Sequence, residues 1–110
     1  MTTLEKIRKL ERYLAVLSPE EEPVIDKTVD KLLEREIKRL REFQKTLDDQ
    51  INEFEKKYGM STDVFLDRFQ SGGLGDAVDY IEWASTSEMR TNIESNQRLL
   101  EDEIVDEPAH

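Results

Sequence analysis

The chain has 110 residues and a formal net charge of −10, with 36% of its residues hydrophobic and 38% charged, against typical shares of roughly 45–50% and about 25%. That length suits one domain with a thin core, and no stretch approaches the roughly 20 consecutive apolar residues a membrane span needs. The absence of cysteine excludes thiolate metal sites and cysteine nucleophiles, and a single histidine, at position 110, removes most other catalytic sets, so no catalytic residue, cofactor or metal is expected.

In chain order, the first element is a short amphipathic helix over 1–17, where Leu4, Ile7, Leu10, Leu14 and Leu17 recur at three- and four-residue intervals. Met1 to Leu10 lacks the continuous apolar core of a signal peptide, and the expectation is a soluble, cytoplasmic protein. Ser18-Pro19-Glu20-Glu21 offers a cap, a proline for the first helical position and a glutamate three residues after the cap. Pro23 biases the residue before it away from helix, which moves the expected start of the next helix to 23.

From 23 to 58 the apolar residues keep a helical period with no glycine or further proline, running Ile25, Val29, Leu32, Leu33, Ile37, Leu40, Phe43, Leu47, Ile51, Phe54 and Tyr58. Between Ile37 and Tyr58 the register is close to a heptad, with Gln44 as its polar interruption. Glu34 with Lys38, and Glu53 with Lys57, are spaced as i,i+4 pairs on the outer face. A helix of that length is roughly 50 Å long, whereas a compact domain of this size is only about 34 Å across. Its stripe therefore calls for cover from another helix or another chain, and an antiparallel partner over 76–106 has suitable length. The expected fold is all-α, an elongated helical hairpin or bundle with coiled-coil-like pairing, in a single domain over 1–110.

Gly59 ends the long helix and Ser61 caps a short one over 61–70, where Phe65 and Phe69 share a face and close the end of the bundle. Ser71-Gly72-Gly73-Leu74-Gly75 separates it from a last helix over 76–106, for which Asp76 reads as the cap and Asp79 as a first-turn acid. The residues from Glu101 to His110 are expected to fray. The acidity is concentrated here: residues 76–110 sum to −8, whereas 1–17 carry +2 and 24–58 carry nine charges of each sign. Such a field favours a basic protein surface and makes direct nucleic-acid binding unexpected.

Three constellations invite chemistry. The glycine-rich stretch before a helix is compared with phosphate loops, but no strand precedes it, no lysine follows it, and Asp76 and Asp79 occupy the helix start. Asp76, Asp79 and Glu82 lie three apart, a spacing that holds magnesium in helical nucleotide hydrolases only when a facing helix supplies a second acidic set. Tyr80, Trp83, Phe65 and Phe69 read as an aromatic knot of the core.

The run Phe54-Glu55-Lys56-Lys57-Tyr58-Gly59-Met60-Ser61-Thr62-Asp63-Val64-Phe65, continued through Phe69, Gly72, Leu74-Gly75-Asp76 and Asp79-Tyr80-Ile81-Glu82-Trp83-Ala84, resembles a group of small archaeal and bacterial all-helical proteins. These are antitoxin-like members of two-gene toxin–antitoxin modules, and the likeness spans about residues 47 to 89. The resemblance implies a protein that holds a toxic partner inactive, with the Gly-Met-Ser turn and the Leu-Gly-Asp-to-Trp segment as its shared core. The residues expected to bind a cognate toxin with a basic surface are Leu40, Leu47, Ile51, Phe54 and Tyr58 of the long helix, together with Leu74, Asp76, Asp79, Tyr80, Glu82 and Trp83. A homo- or hetero-oligomer is expected. The alternatives are a self-associating coiled-coil scaffold and an all-helical magnesium-dependent nucleotide hydrolase.

Overall fold

The structure is a computed structural model that describes residues 1–18 and 22–101. Among these residues the chain forms four α-helices and no strand: α1 (Thr3–Leu14), α2 (Glu22–Tyr58), α3 (Thr62–Gln70) and α4 (Val78–Glu101). The expected cap at Ser18-Pro19-Glu20-Glu21 and the expected continuation and fraying of the last helix beyond Glu101 lie outside the described residues. Backbone contacts divide the chain into two compact units, Met1–Arg35 and Glu36–His110, with the boundary inside α2.

In the first unit, α1 opens with a reciprocal capping box. The Glu5 amide donates to Thr2 Oγ1 at 3.1 Å, and the Thr2 amide donates to Glu5 Oε1 at 2.7 Å, which satisfies two amides that the helix itself leaves without partners. α2 begins at Glu22, one residue earlier than the proline suggests. Pro23 then sits in the first turn, where its missing N–H removes no intrahelical bond. No described residue of this unit is buried.

The second unit is a helical hairpin. α2 and α4 run antiparallel, as cross-helix ion pairs show: Arg41 to Glu101 at 2.6 Å, Asp48 to Arg90 at 2.8 Å and Lys57 to Asp79 at 2.7 Å. The heptad register accounts for the seam, since Leu40, Leu47 and Ile51 are buried while Ile37, Gln44, Phe54 and Tyr58 are half-buried. Leu40 and Leu47 pack with Ile93 of α4, and Leu100 closes the cluster from the side. Each such aliphatic side chain contributes roughly 1.5–3 kcal/mol by leaving water. Gln44, the polar interruption, donates to Glu94 at 3.5 Å, so it finds a partner across the seam.

The turn after α2 follows its sequence signals. Gly59 takes φ +65 and donates to the Glu55 carbonyl, a left-handed position that suits glycine. Ser61 Oγ then accepts from the Val64 amide at 3.2 Å and caps α3. The start of α4 differs from expectation. The Tyr80 and Ile81 amides both donate to the Ala77 carbonyl, so the helix opens on Ala77, and Asp76 lies outside it, exposed. A cap side chain does not set this start. Asp79 instead reaches across to α2 and ties the first turn of α4 to Lys57 and Tyr58.

Candidate functional site

The end of the hairpin is built around Trp83. Its ring is 0% exposed and lies flat on Phe65, with centroids 3.9 Å apart and planes 3° from parallel. Phe54 and Tyr58 of α2 stack on it at 5.6 Å and 5.9 Å. Tyr80 contacts both Tyr58 and Phe65, and Phe69 stacks on Phe65. The knot expected from Phe65, Phe69, Tyr80 and Trp83 is therefore present, and it also takes in two rings of the long helix.

A hydrogen-bond chain crosses the three helices beneath these rings. Trp83 Nε1–H donates to Thr62 Oγ1 at 3.0 Å, and the Thr62 hydroxyl donates onward to Glu55 Oε2 at 2.7 Å. The Thr62 amide donates to the same carboxylate oxygen at 2.8 Å. One glutamate of α2 thus satisfies the start of α3 and, through Thr62, the indole of α4. Buried donors left without such partners are costly. Glu55 and Thr62 gave no sequence signal beyond being polar beside a turn.

On the outer side of the knot, Asp79 accepts from Lys57 Nζ at 2.7 Å and from the Tyr58 hydroxyl at 2.5 Å. The hydrogen bonds from Lys57 and Tyr58 hold the Asp79 carboxyl below its ordinary value. The same carboxylate raises the pKa of Lys57 and, together with burial, that of Tyr58. Lys57 therefore pairs across the hairpin, not with Glu53 on its own helix as the i,i+4 spacing suggests. Magnesium chemistry at Asp79 would need a second acidic set on α2; its direct partners there are an ammonium and a phenol, and of the α2 carboxylates only Glu53 lines the same groove.

The glycine-rich stretch is likewise occupied. The Ser71, Gly72 and Gly73 amides donate to the Asp67, Phe69 and Arg68 carbonyls at the end of α3. These bonds finish α3 and leave those amides committed to it, whereas a phosphate cradle needs them free.

Beside the knot, α2 and α4 border an open groove of about 590 Å³. Phe54, Ile81 and Met89 supply its apolar lining, and Glu53, Glu82 and the Lys57–Asp79 pair stand on its polar edges. Ile81 is 49% exposed and Met89 is 41% exposed, so this apolar lining faces open space.

The eleven expected binding residues fall into three groups. Leu40, Leu47, Ile51 and Trp83 are buried within the chain's own hairpin and are committed to its core. Tyr58 and Tyr80 are half-buried in the aromatic knot, and Leu74 is half-buried in the loop before α4. Phe54, Asp79 and Glu82 come together on the groove, and Asp76 is exposed at the mouth of α4. Ile81 and Met89 belong to the α4 apolar stripe, yet that periodicity does not say which of its members another helix covers. No family model, curated protein or solved structure matches the chain.

Proposed function

We propose that the chain is an antitoxin-like binding protein, whose α2–α4 groove receives an apolar, basic segment of a toxin and holds that toxin inactive. The observation that carries this reading is the groove itself, where the exposed side chains Ile81 and Met89 line the same opening as Phe54 and the carboxylates Glu53 and Glu82. A segment inserting an aliphatic side chain against Ile81 while placing lysine or arginine at Glu53 and Glu82 would gain both burial and charge complementarity. The resemblance of the Phe54-to-Ala84 run to antitoxin-like proteins supports the class of partner, because that run contributes Phe54, Lys57, Asp79, Ile81 and Glu82 to the groove.

Acidic mimicry alone is a weaker account of recognition. Within α4, Asp79, Glu94 and Glu101 are engaged with Lys57, Arg90 and Arg41. The net charge of −10 then serves to steer a basic partner toward the protein, while the groove selects it.

The test is co-expression with the product of whichever gene lies next to the one for this chain, scored by growth rescue and by co-purification. Rescue that is lost in Ile81→Arg and in the double variant Glu53→Lys/Glu82→Lys is the expected result. Unrelieved toxicity, or rescue that survives both variants, overturns the proposal.

A further inference from the structure

α1 is a preformed helix whose apolar stripe stays exposed. Its capping box holds the first turn, and Leu4, Ile7 and Leu10 are 56%, 53% and 37% exposed. At about 100° per residue, these three and half-buried Leu14 share one face, with Lys6 on one flank of it and Arg8 on the other. We propose that, without a partner, the α2–α4 groove receives α1 of a second copy, two chains exchanging their first helices. The proposal rests on the groove as a binding site and gives that site a resident competitor.

Charge complementarity selects α1 as the occupant. α1 carries four basic side chains against two acidic ones, whereas Glu53, Asp79 and Glu82 line the groove against Lys57. Lys57 is paired with Asp79, so Glu53 from α2 and Glu82 from α4 remain to meet Lys6 and Arg8, while Ile81 and Met89 meet the stripe. Glu11 falls within the stripe. An acyl layer would have to bury that carboxylate, but the groove has Lys57 on its edge.

Length agrees. The α4 side of the groove runs from Asp79 to Met89, roughly 15 Å of helix, and the 12 residues of α1 span roughly 18 Å. A chain cannot lay α1 along its own groove. Gln50, the near end, stands roughly 42 Å along α2 from Glu22, and the link from Leu14 to Glu22 covers at most about 29 Å. A helix preformed on both chains costs little ordering on association, and reciprocal exchange closes a dimer.

Sedimentation of the full-length protein across the micromolar range tests the proposal. A concentration-dependent dimer is expected, and Ile7→Glu and Ile81→Arg should each weaken it by about tenfold or more. Both side chains are exposed, and far-UV circular dichroism with the urea midpoint shows that each variant remains folded. Lys6→Glu/Arg8→Glu and Glu53→Lys/Glu82→Lys should each dissociate alone, yet form a heterodimer when mixed, because both exchanged contacts are then complementary. A strictly monomeric protein overturns the proposal, as does a dimer indifferent to either Ile7→Glu or Ile81→Arg. Flotation with vesicles of phosphatidylcholine and phosphatidylglycerol, sensitive to Ile7→Glu in a protein monomeric without lipid, overturns it in favour of a lipid surface. A monomer that still rescues growth overturns self-occupancy alone, whereas a dimer with the expected responses that rescues nothing overturns the antitoxin-like reading alone.

Discussion

Thr62 occupies the point where three helices share one hydrogen-bond chain, so a change there acts on all of them. Thr62→Val keeps the shape of the side chain but removes the acceptor of the Trp83 indole N–H and one donor to Glu55. Its expected cost is about 1–3 kcal/mol, the penalty of a buried donor left alone, read as a lower urea midpoint with an unchanged slope. Asp79 gives a pH prediction. Its folded pKa lies below the unfolded value because Lys57 and Tyr58 donate to it, so its contribution is present above the ordinary aspartate range near about 3.9 and is lost as pH falls below it. Lys57 and Tyr58 shift the opposite way. Their contribution is present below their ordinary values, near about 10, and is lost as pH rises through them. Urea midpoints measured across pH should therefore fall at both extremes, and Asp79→Asn should flatten both limbs. The Asp79 contact was illegible in the sequence because Lys57 has an equally plausible partner in Glu53 on its own helix. Only the register of the folded hairpin decides between them.

At the scale of elements, local chemistry fixes the ends of α2 and α3, and tertiary packing fixes the start of α4. Gly59 and Ser61 were readable because a left-handed glycine and a serine cap act within one turn. Asp76 has the same local signature, yet α4 opens on Ala77, since the Asp79 bonds to α2 set where its first turn lies. Gly59→Ala is expected to cost about 1–2 kcal/mol from the left-handed backbone alone, because a Cβ there meets nothing within 4 Å. Thermal or urea unfolding of that variant checks it. Leu47→Ala, in the seam between α2 and α4, is expected to cost about 2–5 kcal/mol, by the same measurement. Apolar spacing made the seam legible, since Leu40, Leu47 and Ile51 face α4 as the heptad implies. It left open which α4 side chains stay uncovered, because Ile81, Ile93 and Met89 look alike in sequence while only Ile93 is buried.

Over the whole molecule, burial is distributed unevenly along one continuous helix. The described residues before Glu36 include none that are buried, whereas the core residues from Leu40 to Ile93 all lie in the second unit. Native-state hydrogen exchange on dilute protein should accordingly show protection near the global stability for amides around Leu47, Phe65 and Trp83. Amides of α1 and the opening turns of α2 should exchange through local opening. Equal protection along all of α2 in the monomer would contradict this. Trp83 is the chain's one tryptophan, wholly enclosed and stacked against Phe54 and Phe65. Its fluorescence should therefore be blue-shifted and shielded from acrylamide, and all of it arises from one spot. Phe54 touches both that indole and the groove, so the emission of the unlabelled protein should change when the groove fills, and a titration followed at this one wavelength would measure occupancy directly.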